Sequence, residues 1–193
     1  VKAAYLDFNF KLAHQKLYQF CNDTLSSFYC MAVKDRLYCD AADSPRRLQT
    51  QYSLWSILEV LLRLISPILP HTADEAYRSL YQEETTSLML APDVAFDVSC
   101  DARWPQVLET RDLVLKALEE EKEKGLDNPL DAGVQLGDPD SLFADFEPDL
   151  IDILGVSRVT LVTQPGIGVD SLSDEPRCER SWRRDISVKE RNN

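Results

Sequence analysis

A mostly apolar stripe runs through the first part of the chain: Phe10, Ala13, Leu17, Phe20, Thr24, Phe28 and Ala32 recur at spacings of three and four. That repeat puts every member on one face of an α-helix and excludes a strand, whose faces alternate every second residue. Residues from about Asn9 to Tyr38 are therefore expected to form a helix with this stripe in the core. Asp40-Ala41-Ala42-Asp43-Ser44-Pro45 interrupts it. Ser44 followed by Pro45 suits an N-cap and first helical position, because proline has no N–H to lose there. A second helix is expected to reach about Ile65, with Leu54, Leu58, Leu61, Leu62 and Ile65 facing inward and Pro67 and Pro70 ending it. Thr72-Ala73-Asp74-Glu75 has the spacing of a capping box and predicts the start of a third, short helix. Three helices on short links favour antiparallel packing.

The pattern changes after Tyr81. Residues 82–103 are irregular, with a possible strand near Val94 to Val98. Pro105 opens a further helix ending at Gly125, with Glu120 and Lys124 spaced to pair on its exposed side. Ala132, Val134 and Leu136 alternate as a strand. Asp140 to Leu154 reads as one or two short helices around Pro148, and Val156 to Val162 as a second strand rich in β-branched residues. The expected fold is thus mainly α: an antiparallel helix bundle over 1–81, a connector over 82–103, a small α/β domain over 104–163, then a linker and tail over 164–193. Gly166 and Gly168 do not make a phosphate-binding loop, since a third glycine and a following helix are missing.

Several function classes find no support. The only histidines, His14 and His71, sit in helical contexts and form no Ser/His/Asp set. Five cysteines, none at C-x-x-C spacing, argue for reduced thiols in a cytoplasmic protein and against a disulfide framework or a metal site. No apolar run approaches the roughly 18 residues of a membrane span. The net charge of −12 opposes nucleic-acid binding, but it is unevenly spread. Residues 1–80 carry nine Lys/Arg against eight Asp/Glu, residues 81–170 six against twenty, and residues 171–193 six against five. Any phosphate contact is therefore expected from the N-terminal helices or the extreme C-terminus.

Basic residues gather where the first helix ends and the second begins. Lys34 and Arg36 lie before the break and Arg46 and Arg47 after it, with Tyr38 between. If the helices are antiparallel neighbours, the four cations share one end of the bundle. Arginine offers a planar fork to phosphate or guanine, and a tyrosine can stack on an unpaired base. The competing structural reading pairs Arg36 with Asp35 or Asp40 and leaves Arg46 and Arg47 solvated.

Two segments in order, Phe28-Tyr29 with Lys34-Asp35-Arg36-Leu37-Tyr38 and Ser66-Pro67-Ile68-Leu69-Pro70-His71-Thr72-Ala73-Asp74-Glu75, resemble the anticodon-binding helical domain of isoleucyl-tRNA synthetases, which reads roughly FY-x-x-x-x-KDRLY and SPILPHTADE. Trp104 with Arg111-Asp112-Leu113-Val114-Leu115-Lys116-Ala117-Leu118-Glu119 is similar to a later helix of that family. Leu126 to Leu136 is similar to its IGNSLDAKVTL segment, departing at Pro129. Arg177-Cys178-Glu179-Arg180-Ser181-Trp182 is similar to the first zinc knuckle of bacterial-type members, K-C-x-R-C-W, with Ser181 where the second cysteine belongs.

The resemblance implies a C-terminal piece of a ligase that joins isoleucine to its tRNA with ATP. The partner would be tRNA(Ile), with no DNA and no membrane, and Lys34, Arg36, Tyr38, Arg46 and Arg47 would be the tRNA contacts. The family's HIGH and KMSKS signatures do not occur here, so catalytic residues, ATP and any zinc fall to the longer parent. Cys178 is then a knuckle remnant that binds no metal, and the tail around it is expected to be disordered. Two alternatives stay open: the equivalent part of a valyl- or leucyl-tRNA synthetase, or an acidic helical module that binds proteins and no tRNA.

Overall fold

A computed structural model describes residues 1–82, 86–96 and 98–189. The chain divides into two compact units, Val1–Val98 and Ser99–Asn193.

The first unit is helical. α1 (Lys2–Leu6) and α2 (Phe10–Gln19) lead into a wide π-helical stretch, Phe20–Cys30, which narrows again as α3 (Met31–Tyr38). α4 (Pro45–Ile65) and α5 (Pro70–Tyr81) follow. Asn9 caps α2 by accepting from the Leu12 amide at 3.0 Å. α4 starts as expected, with Ser44 at the N-cap and Pro45 in the first turn. The stripe is core only in part. Ala13 and Leu17 are buried, but Phe10 and Phe20 are 47% and 38% exposed and no residue of Phe20–Cys30 is buried. The i→i+5 winding changes the repeat, so a 3.6-residue stripe drifts off the buried face there. Val33 and Asp35, not Ala32, are the buried positions of α3.

α5 opens at Pro70, not at the Thr72 capping box. Proline needs no capping of its own nitrogen. The Asp74 carboxylate is engaged elsewhere, accepting from Ser87 Oγ at 2.7 Å and the Leu88 amide at 2.8 Å. α4 and α5 are antiparallel. Tyr81 reaches Glu59 near the far end of the hairpin, Arg63 lies over Tyr77, and Leu62 and Ala73 share the core near the turn. Leu88 completes that core, with Leu58, Ile65, Ala76 and Tyr77 packed around it. Asp97 lies outside the described residues, and Val94–Phe96, in the region expected as a strand, form none.

The second unit is α/β. α6 (Trp104–Lys122), β1 (Ala132–Gly137), α7 (Glu147–Leu154), β2 (Arg158–Val162) and β3 (Ile167–Ser171) build a three-stranded sheet of order β2-β1-β3. β1 pairs parallel with β2 and antiparallel with β3, with Val134 opposite both Val159 and Val169. Val107, Val114 and Leu118 of α6, Leu150, Ile153 and Leu154 of α7, and Val134 and Leu136 of β1 are among the buried apolar residues. At the end of α6, Lys124 pairs with Glu121 at 2.7 Å rather than with Glu120. The helix stops at Lys122, so Lys124 has left the helical repeat that would align it with Glu120.

Among the described residues beyond Gln164, neither the expected linker nor the expected disordered tail is found. Residues 167–171 are the sheet's third strand, and residues 177–184 fold back on the unit. Gly137 lets the turn before β3 come close. A Cβ there would lie 2.5 Å from Gln164 O and 2.6 Å from Gly166 N. Gly137→Ala is expected to destabilise this unit by about 1–3 kcal/mol, because backbone rather than a flexible side chain must move. A denaturation midpoint equal to wild type would show that the 164–166 turn yields freely.

Candidate nucleic-acid interface

The break between α3 and α4 is a tight corner, and Asp40 sits at its centre. Arg46 donates to both oxygens of Asp40, Nε to Oδ2 at 3.2 Å and Nη2 to Oδ1 at 3.3 Å. Ser44 Oγ donates to Oδ2 at 3.3 Å, and Arg47 Nη1 donates to the Asp40 carbonyl at 3.0 Å. The Arg46 hydrogen bonds hold the Asp40 carboxyl below the ordinary carboxylate range, against the opposing effect of partial burial, and the charge of Arg36 adds to the lowering. Asp40 thus holds two guanidinium groups from the first turn of α4, Arg46 and Arg47, and lies within the field of a third, Arg36 of α3. A carboxylate that accepts a fork fixes the orientation of the fork as well as its position.

The structure places the five expected residues unevenly. Arg46 and Arg47 come together on Asp40, and the charge of Arg36 reaches it from α3. Tyr38, the last residue of α3, is 70% exposed at the same corner. Lys34 turns to Asp35 instead, with Nζ 2.9 Å from Oδ1. Arg46 and Arg47 are not simply solvated. Arg46 is 40% exposed while held by Asp40, and Arg47 Nε is a buried donor with no hydrogen-bond partner among the described residues. Asp40 is the member that sequence spacing did not single out as an organiser. Its separation of four from Arg36 was a signal, but its six-residue reach to Arg46 depends on the turn.

The histidines offer no competing chemistry. His14 is exposed and stacked on Tyr18 with ring centroids 6.2 Å apart, and His71 is exposed in the first turn of α5. Among the described residues no group of three or more His, Cys, Asp or Glu is placed to hold a metal ion, and all five cysteines are free of disulfides. No helix among the described residues is long and apolar enough to cross a membrane.

The family model for the anticodon-binding domain of tRNA ligases matches residues 1–132. Among curated relatives, the isoleucine–tRNA ligase of Exiguobacterium sibiricum is 36% identical over 94% of the chain. Those of Halalkalibacterium halodurans and Geobacillus kaustophilus are 39% and 34% identical over 94% and 86% of it. The chain spans about one fifth of the length of these relatives, between 19% and 22%. The matched region contains every helix of the first unit, the α3–α4 corner included, and the chain belongs to the family of tRNA-ligase anticodon-binding domains.

Proposed function

We propose that this chain is the anticodon-end portion of an isoleucine–tRNA ligase, a cytoplasmic enzyme that joins isoleucine to tRNA(Ile) at the expense of ATP in a domain outside this chain. The α3–α4 corner is its tRNA contact, with Arg36, Arg46 and Arg47 on phosphates or base edges, Tyr38 on an unpaired base, and Lys34 alongside. One observation supports this reading of the contact: two guanidiniums of α4 are held on Asp40, within the field of Arg36 and beside an exposed tyrosine. Folded RNA is recognised through phosphates and splayed loop bases, and arginine forks and aromatic faces are the groups that do both. The choice of isoleucine over valine or leucine is supported by the names of the relatives and by the Lys34–Tyr38 run.

Titration of the chain with tRNA(Ile) and with an unrelated tRNA over a salt series tests this. Three cations on phosphates predict a slope of log K against log salt of about −2 to −3, with tighter binding of tRNA(Ile). No binding at the lowest salt, or equal affinity for both tRNAs, would favour a protein-binding module instead.

A further inference from the structure

The Arg177–Arg184 segment is similar to a zinc knuckle, yet its donors do not fit a zinc ion. A structural zinc site takes four thiolate or imidazole ligands. This turn offers Cys178 and, in the second ligand position, the hydroxyl of Ser181. The buried carboxylates beside it, Asp131 and Asp152, are committed to arginine. Even so, the turn is built. Arg177 and Arg184 form an antiparallel bridge, the Cys178 amide donates to Arg183 O at 2.8 Å, and the Trp182 amide donates to Cys178 O at 2.8 Å. Trp182 takes a left-handed backbone, φ 65°, to close it.

We propose that this knuckle is held without metal, by an arginine clamp on two buried aspartates. Asp131, at the foot of β1, pins both legs of the turn. Arg184 Nε donates to its Oδ1 at 2.6 Å, and Arg177 Nη2 lies 2.9 and 3.1 Å from its two oxygens. Asp152 of α7, whose side chain is 1% exposed, accepts from Arg183 Nη2 at 2.6 Å. Two other nitrogens of Arg184, Nη1 and the backbone amide, are used as well. Nη1 donates to the carbonyls of Ser173 and Glu175, and its amide donates to Ser157 Oγ. Arg158 and Glu175, a bidentate pair at 3.0 and 2.6 Å, lock the approach to the turn. One carboxylate joining the two ends of a turn performs the geometric task of a metal ion. It does so with hydrogen-bonded charge, at roughly twice the strength of neutral hydrogen bonds. Burial alone would raise the Asp131 carboxyl, but the hydrogen bonds from Arg184 and Arg177 outweigh it and keep the group ionised. A zinc ion could take Asp131 only in competition with the guanidiniums it already holds. This inference is independent of the tRNA reading.

Amide hydrogen exchange over residues 176–185 of the whole chain tests it, with β1 as an internal reference for global unfolding. Wild-type exchange is expected to be unchanged by a strong chelator and by added zinc. Asp131→Asn is expected to accelerate it by about tenfold or more. Should that variant also lose protection in β1, Arg184→Lys takes its place, keeping the charge and losing the fork, with an expected acceleration of about threefold. Faster exchange of the wild type in chelator, slower exchange in zinc, or a change of less than about twofold in the deciding variant would overturn the proposal.

Discussion

Reversing the charge of Arg46 and Arg47 together, Arg46→Glu with Arg47→Glu, is expected to weaken binding of tRNA(Ile) on the order of tenfold to hundredfold. Two forks are lost, and two carboxylates then face the phosphates. The same two arginines also hold the corner through Asp40, so a loss of affinity has two possible origins. Asp40→Asn separates them. It removes the anchoring charge and leaves all three guanidiniums in place. If the cations make the contact, Asp40→Asn keeps tRNA affinity within about threefold, because exposed phosphate contacts depend on charge more than on exact placement. If Asp40→Asn weakens binding as much as the double reversal does, the shape of the corner is what tRNA reads. If the double reversal leaves affinity unchanged at low salt, the contact lies elsewhere on the chain.

Arg63→Ala is expected to cost the helical unit about 3–5 kcal/mol. The Glu59 side chain is 2% exposed, and it accepts from Arg63 Nη1 at 2.7 Å and from the Tyr81 hydroxyl at 2.8 Å. Removing Arg63 strands a buried carboxylate with a single neutral donor. The same guanidinium donates through Nε and Nη2 to the Pro92 carbonyl at 3.2 and 3.0 Å, so its loss also frees the segment that returns over α4. Trp55 packs edge-on to Phe96 of that segment, 5.7 Å between centroids, and its fluorescence should report the release. Glu59→Gln keeps the shape without the charge and should cost roughly 1 kcal/mol. A loss below about 1 kcal/mol in Arg63→Ala would show that water or a rearranged side chain satisfies Glu59.

Local chemistry made most of the fold legible. Ser44-Pro45 announced α4, Pro105 announced α6, and the alternation of Ala132, Val134 and Leu136 announced β1. Two of the misses share a cause, which is dependence on distant partners. Ile167 and Val169 alternate as a strand should, but Pro165 and Gly166 before them read as linker. The pairing of Ile167 and Val169 with Leu136 and Val134 is visible only in the sheet. The tail read as disordered because its clamp spans 46 residues from Arg177 to Asp131, 53 from Arg184 and 31 from Arg183 to Asp152. No local pattern encodes such pairs. The wide turn in the first long helix erased part of a stripe that spacing alone marked as core. At the candidate site the cations were legible as types and positions. Their convergence was not, because Asp40 joins them only once the α3–α4 corner exists.

A photo-crosslinking side chain placed at Tyr38 tests the central claim most directly. Bound to tRNA(Ile), it is expected to mark the anticodon loop, while the same probe at Glu119 on the acidic α6 marks no nucleotide. Crosslinks from position 38 to the acceptor end, or crosslinks from α6 and none from the corner, would contradict a basic α3–α4 corner that holds the anticodon end of tRNA.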